Sequence, residues 1–321
     1  MKLKDLLDKA SKAELAERQE HAASKKGVLR AGNSGALMEN GDVVGECHRK
    51  TLARTMGLEA ETIPGASTQG FFALGMAHEL WVADRIKNVL PEGHVMLQEE
   101  ECPTEWFTSG KIKIPVTGRP DIVICEEVKS LDTSKSGFHE IITAKPVFGI
   151  ELKALAADNS AAGVLLQGPK TAHLLQSMHY MLKLSLTSYS LFYSFFGSVP
   201  MPWWAKKQHG LDNKAKLEPF RKEYHLEINA KGFLTFADEE GSVQETVLTE
   251  ETLTNFYELV ADMMDKRTLF RRPSDKDHFG KMLPYSGCNY CKHKEACDSY
   301  EDNFDRWCDE LAKNKMIAES E

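Results

Sequence analysis

Cys47 stands alone near the start of the chain, while Cys288, Cys291 and Cys297 crowd together near its end. The Cys288-Asn-Tyr-Cys291 spacing lets two sulfurs reach one centre, and four thiolates suit Zn²⁺ or an iron–sulfur cluster. Cys47, in Glu46-Cys47-His48-Arg49-Lys50, is the best candidate for the fourth, so the two flanks of the chain are expected to meet in space. No other feature restricts the fold as strongly. The chain has seven cysteines, an odd number that leaves no even disulfide framework. In a reducing compartment such clusters more often bind metal or do redox chemistry. His48 or His293 could replace a cysteine in a zinc site, and spacing alone does not separate the two metals. Cys308 could in principle replace Cys297, at a less favourable distance. Cys102 and Cys125 fall in strand contexts and read as core residues.

The 321 residues suffice for one large domain or two small ones. Apolar and charged fractions of 42% and 27% are those of an ordinary soluble protein. No apolar run approaches the roughly 20 residues of a membrane span, and the N-terminus lacks the apolar stretch of a secretory signal. A cytoplasmic location is expected. The formal net charge of −8 argues mildly against a nucleic-acid binder, although phosphate binding needs local rather than total positive charge. Two segments supply it: 203–222 and 266–281 each carry six basic and two acidic residues. The tail 298–321, with three basic and eight acidic residues, carries much of the deficit.

Hydrophobic periodicity predicts an N-terminal amphipathic helix over 1–26, with Leu3, Leu6, Leu7 and Leu15 on a shared side, and a loop over Gly27–Gly45. A second helix is expected over 68–90, with Phe72, Met76, Leu80 and Ala83 at helical spacing. Strands are expected at 94–99, 111–117, 119–125, 138–144 and 147–153. A helix over 170–186 precedes a buried strand at 187–196. Strands near 223–230 and 243–248 and helices over 250–267 and 298–313 complete the pattern. The order predicts an α/β core with a mixed central sheet.

Acidic residues placed at strand ends mark the candidate chemistry. Metal-dependent phosphodiester cleavage needs hard oxygen ligands for Mg²⁺ or Mn²⁺. Asp121 follows Gly118-Arg119-Pro120 and opens the run Ile122-Val123-Ile124. Glu151 closes the apolar run Pro146–Ile150, and strand periodicity puts Lys153 on its face of the sheet. A carboxylate-x-Lys triplet is expected about three times by chance in a chain this long, so context has to choose. Glu127-Val128-Lys129 lies too close after Asp121 for a turn and a second strand. Asp212-Asn213-Lys214 sits in a polar loop. Glu151-Leu152-Lys153 alone has the strand context.

With Gly118–Asp121 before it, this triplet resembles the core of the PD-(D/E)xK nuclease superfamily. Gln176 and Tyr180, four residues apart on the next helix, resemble the Gln-x-x-x-Tyr motif of its RecB-like branch. Gly75-Met-Ala-His78-Glu79 resembles that branch's helix with a metal-binding histidine. One early cysteine, a late CxxC and a third cysteine resemble the iron–sulfur arrangement of RecB-like nucleases, which include CRISPR-associated adaptation exonucleases and many phage-encoded exonucleases.

The resemblance covers about Cys47 to Cys297 and implies a restriction-endonuclease-like α/β core. A [4Fe–4S] clip on Cys47, Cys288, Cys291 and Cys297 would join the N- and C-terminal parts, with Zn²⁺ the less favoured occupant. It implies three parts: a helical extension and loop over 1–45, a nuclease domain over 46–300 and an acidic helix and tail over 301–321. Mg²⁺ or Mn²⁺ would be held by His78, Asp121, Glu151 and the Leu152 carbonyl, with Lys153 positioning or activating water and Gln176 and Tyr180 orienting the strand. The implied activity is that of a DNA exonuclease acting on single-stranded or free ends, 5′ to 3′ favoured, in phage or mobile-element recombination. Spacer adaptation beside an integrase and a non-catalytic DNA-end-binding module are the alternatives. Recombination or integrase proteins are possible partners, and homo-oligomers occur in this branch. Two departures stand out: a long Ser/Lys/Gly-rich segment near 129–137, read as an inserted hairpin, and His48 where the family often has Pro. Met201–Lys207, which interleaves Trp203 and Trp204 with Lys206 and Lys207, reads as an apolar loop with a basic edge or as a single-strand contact. Arg271 and Arg272 read as backbone contacts or as simply exposed.

Overall fold

Apolar side chains recur at period two on either side of Pro146, and this alternation builds the longest strands of the protein. The computed structural model describes residues 26–59, 66–132, 139–156, 159–200, 216–217, 221–271, 276–281, 288 and 291–320. The predicted helix over 1–26 and the Trp203–Lys207 segment lie outside these residues, apart from Lys26. In chain order the strands are β1 (Leu29–Arg30), β2 (Gly35–Leu37), β3 (Val43–Gly45), β4 (His94–Gln98), β5 (Glu105–Ser109), β6 (Ile112–Thr117), β7 (Ile122–Asp132), β8 (His139–Ala156), β9 (Ser188–Phe196), β10 (Val199–Pro200), β11 (Lys216–Leu217), β12 (Arg221–Ile228), β13 (Phe233–Asp238) and β14 (Val243–Thr249). The helices are α1 (His48–Thr55), α2 (Ala66–Lys87), α3 (Asn159–Gln167), α4 (Thr171–Lys183), α5 (Glu250–Lys266), α6 (Lys294–Ser299) and α7 (Phe304–Ser320).

The protein is mixed α/β and divides into two interleaved compact units. One comprises Met1–Ser67, Thr104–Thr117 and Glu251–Glu321, the other Thr68–Pro103 and Gly118–Glu250.

The second unit holds a seven-stranded mixed sheet in the order β14-β13-β12-β9-β8-β7-β4. All its neighbouring pairs are antiparallel except β8 and β9. A parallel pair needs a long crossover, and α3 and α4 lie within it. Ile150 and Leu152 of β8 point to the face that packs on α2, in a cluster with Ala83 and Ile122. Their odd-numbered neighbours, Glu151 and Lys153, project to the other face. Strand β9 is buried on both faces, as expected from Thr187–Phe196, with Tyr189, Leu191, Tyr193 and Phe195 almost fully covered.

Several sequence expectations are corrected here. The strands expected at 138–144 and 147–153 are one strand, β8, with a register shift opposite Ile124 and Cys125. Pro146 has no N–H to give a ladder, and a bulge is where a strand tolerates it. The expected strand at 119–125 starts at Ile122 and runs on to Asp132, pairing down to Asp132↔His139 as the inserted hairpin. Residues 133–138 lie outside the described residues. Gly27–Gly45, read as a loop, contains β1 and a β2–β3 hairpin. The helix expected over 298–313 is two helices, because the chain breaks after Ser299 and restarts under the Asn303 side chain, which accepts the Arg306 N–H at 3.1 Å. The helix expected over 68–90 is α2, and of the residues at helical spacing on it Phe72, Met76 and Leu80 are 52%, 60% and 67% exposed, while Ala83 is buried. Cys125 is a buried strand residue, but Cys102 lies outside any strand, buried with its N–H on the Gly118 carbonyl at 2.8 Å.

In the first unit a three-stranded sheet, β1-β6-β5, and the β2–β3 hairpin accompany helices α1, α5, α6 and α7. Phe107, Tyr257, Phe256 and Val260 are buried there, Phe107 and Tyr257 with ring centroids 5.1 Å apart, and Ser34 Oγ meets the Tyr257 hydroxyl at 2.6 Å. No described helix is long and apolar enough to cross a membrane.

Candidate functional site

The β7–β8 register places the acidic residues. Ile122 pairs with Ile150, so one step further along an antiparallel ladder Asp121 comes opposite Glu151. There the ladder ends, and the Asp121 carboxylate takes over: its Oδ2 accepts the Leu152 N–H at 2.7 Å. Glu151 is 1% exposed. Its Oε1 is in an ion pair with Lys153 Nζ, whereas its Oε2 is buried without a hydrogen-bond partner. An orphaned carboxylate oxygen beside a second carboxylate is what a hard cation would satisfy.

The electrostatics agree with this grouping. Burial pushes the Glu151 carboxyl up to about 7; Lys153 opposes the rise, and Asp121 and Glu79 add to it. Asp121 is raised for the same first reason, with Lys153 and the Leu152 N–H pulling it back. Burial works to lower Lys153, but the charges of Glu151 and Asp121 win and lift it. Lys153 therefore stays an ammonium.

Not every expected residue joins this cluster. His78 stacks on Phe192 at 6.4 Å and Trp81 at 5.8 Å, and its Nε2 bonds the Ser194 hydroxyl. Phe192 packs with Leu152 on the α2 face of the sheet, opposite the face that carries Glu151. The helix residue within electrostatic reach of Asp121 and Lys153 is instead Glu79, itself raised by burial and by Asp121. Adjacent helical positions point about 100° apart, so sequence spacing could not choose between the two. Gln176 and Tyr180 do meet, with Gln176 Nε2 donating to the Tyr180 hydroxyl at 3.0 Å. Tyr180 is buried, and burial, then Glu151, raises its hydroxyl. The Leu152 N–H is the group that bonds Asp121.

Cys47, Cys288, Cys291 and Cys297 line one cavity of about 350 Å³, counting its open mouth, together with Arg49, Lys50, His293 and Lys294. Cys47 is the N-cap of α1. The Cys291 N–H bonds the Cys288 carbonyl at 3.2 Å, and the Cys297 N–H bonds the His293 carbonyl at 3.0 Å. Glu59 pairs with Arg54 and Lys292 and faces His293 Nε2 at 3.7 Å, pinning the segment after Cys291 to the end of α1. Burial pushes the Cys47 thiol up to about 12, the Cys297 and Cys288 sulfurs adding to the rise. Arg49 is 2% exposed. Its Nε and Nη2 donate to the Phe270 carbonyl at 2.9 and 2.6 Å, and its Nη1 has no partner. The Trp307 indole N–H donates to Cys297 Sγ at 3.4 Å. Cys308 is not among the residues lining this cavity. Among the described residues, no three His, Cys, Asp or Glu side chains form a ready-made metal-ion site.

No protein-family model matches the chain, and no curated protein matches it. Among solved structures, the crystal structure of SSO0001 is similar over 56% of this chain and 70% of that one, at 16% identity and a TM-score of 0.31. A likeness that distant carries no argument.

Proposed function

We propose that the protein is a metal-dependent deoxyribonuclease of the PD-(D/E)xK type acting on DNA ends, with a four-cysteine metal centre in its first unit. The observation that carries the proposal is the coupling of Asp121 to the Glu151-x-Lys153 triplet, with Glu151 Oε2 buried and unpaired. Asp121 and Glu151 would hold Mg²⁺ or Mn²⁺, with Glu79 a further carboxylate in electrostatic reach of both. When bound, such a cation supplies charge for the phosphate and acidifies a water. Lys153 keeps its proton and orients Glu151, so the ammonium is available to steer the attacking water or a phosphate oxygen. Gln176, steadied by Tyr180, presents a polar head beside the acidic cluster.

At the cysteines, four thiols lining one cavity and an unpaired buried guanidinium fit an anionic tetrathiolate centre. An iron–sulfur cluster is the preferred occupant over zinc, on ligand softness and family resemblance. Held by Cys47 at one end and Cys288, Cys291 and Cys297 at the other, it would staple the two flanks and restrict the unfolded chain as any long-loop crosslink does.

Protein purified without oxygen, incubated with Mn²⁺ and end-labelled linear single-stranded DNA, tests the activity, with a closed circular strand and Glu151→Ala protein beside it. Degradation of the linear strand alone, absent in the variant, is the expected result and gives the polarity. Activity that survives undiminished in folded Glu151→Ala and Asp121→Ala proteins would remove the assignment. Binding of ends without cleavage would favour a non-catalytic end-binding module.

A further inference from the structure

We infer that Arg49 and Trp307 are the charge-balancing and potential-setting residues of the four-cysteine centre, acting on the group it holds through one guanidinium and one N–H···S bond. The inference rests on the four-cysteine reading above and concerns two residues that are not ligands.

Four thiolates on one metal centre leave it with net negative charge, and a negative charge inside protein needs compensation nearby. The carboxylates and amines around the cavity are engaged with one another: Glu59 with Arg54 and Lys292 and facing His293, Glu46 with Lys50, and Asp298 with Lys294. Among the described residues no carboxylate pairs with Arg49. Two of its nitrogens are spent on the Phe270 carbonyl, which fixes the plane of the guanidinium. The third, Nη1, is buried and unpaired in a side chain that lines the cysteine cavity. A buried, oriented and half-satisfied cation is costly by itself; an anionic centre in the cavity removes that cost. From the other flank Trp307, completely buried on α7, spends its only polar atom on Cys297 Sγ. A cysteine sulfur is a weak acceptor, so a buried indole N–H directed at one is a specific arrangement.

Both groups favour the more negatively charged state of whatever the sulfurs hold. Hydrogen bonds to the sulfurs and net charge around a cluster are among the determinants of its reduction potential, so removing either should lower that potential. Trp307→Phe keeps most of the ring packing and deletes one N–H. Arg49→Gln removes the charge, and Arg49→Lys keeps it while losing the planar fork.

The test begins with iron, sulfide and zinc content of the anaerobically purified or reconstituted full chain. Each variant's metal content, melting temperature, midpoint potential and rate of metal loss to a chelator are then compared with the parent. The expected outcome for Trp307→Phe is unchanged content, a lower midpoint potential and several-fold faster metal loss. Arg49→Gln should lie further in the same direction than Arg49→Lys. If the centre carries zinc, the chelator rate alone reads the effect, with the same order expected. A parent protein that binds neither metal sinks the four-cysteine reading itself. A metal-loaded Trp307→Phe protein with the parent's potential and release rate, together with Arg49→Gln equal to Arg49→Lys, overturns this inference and leaves that reading standing.

Discussion

Asp121 Oδ2 accepts the Leu152 backbone N–H at 2.7 Å, and this one bond joins two sequence segments 31 residues apart. It lies where β7 runs out of ladder, so the carboxylate does the work of the missing strand residue and is held beside Glu151. Asp121→Asn should keep an acceptor for Leu152 while removing the charge. The expected result is a near-normal melting curve with divalent-metal affinity reduced at least tenfold, read by calorimetry. Unchanged Mn²⁺ affinity would remove Asp121 from the site.

Lys153 is the partner of a carboxylate that is 1% exposed. Lys153→Met strands Glu151, which can then be tolerated only by protonation. The Glu151 carboxyl already sits at about 7, above its usual range, so ionising it costs stability as pH rises. The variant should be destabilised by up to about 3 kcal/mol at pH 8, and much less at pH 6. Glu151→Gln with Lys153→Met should abolish this pH dependence. Urea unfolding at the two pH values checks it, and equal losses at both would contradict the account.

His179 is fully buried on α4, and burial, then Lys183, brings its imidazole down to about 3. Its folded value lies below the unfolded one, so the unfolded chain takes up the proton first as pH falls. Stability is therefore present above about pH 6.5 and lost below it, by about 2 kcal/mol at pH 5 from this residue. His48 and His278, each held near 4 by burial, act in the same sense. His179→Gln should make the acid limb of the stability profile shallower without removing it. A profile as steep as the parent's would count against a buried neutral imidazole.

Gly149 faces the Tyr189 ring so closely that an added Cβ would overlap it, with Leu186 Cδ1 another 3.1 Å from that position. Tyr189 is completely buried and has no room to retreat. Gly149→Ala should cost about 1–3 kcal/mol by overpacking and disturb Glu151 two residues on. Chemical denaturation measures the cost, and a neutral substitution would mean the ring moves freely.

Metal content separates the cysteines. Serine at Cys47, Cys288, Cys291 or Cys297 should lower bound metal and the melting temperature together, because metal binding at such sites is folding free energy. Serine at Cys308, which does not line the cavity, should leave both unchanged. Full metal content in Cys47→Ser would detach the early cysteine from the late three.

Much of the site could be read from local pattern. Period-two alternation with an apolar run before Glu151 put Glu151 and Lys153 on one face of a strand, and four-residue spacing put Gln176 beside Tyr180. The late cysteines and Cys47 were paired by type alone, and the fold brings them to one cavity. Local pattern could not say that β8 is continuous through Pro146, since a bulge depends on the partner strand. Nor could it say that α2 turns Gly75 and Ala83 inward and Phe72 outward, because Gly75 stands against Ala154 of β8 and the sheet, rather than the helix, decides which side is covered.

By itself the sequence determined residue types and short-range geometry: which carboxylates stand at strand ends, which side chains share a helical or strand face, and where thiols are dense enough to share a centre. These follow from periodicities of two and 3.6 residues. The tertiary structure decided which distant partners those groups meet: Leu152 for Asp121, Ser194 for His78, Glu79 within electrostatic reach of the acidic cluster, and Arg49 and Trp307 around the cysteines. Each of these depends on strand register and on the docking of one element against another, which are set by the packing of the whole unit and not by any window of the chain.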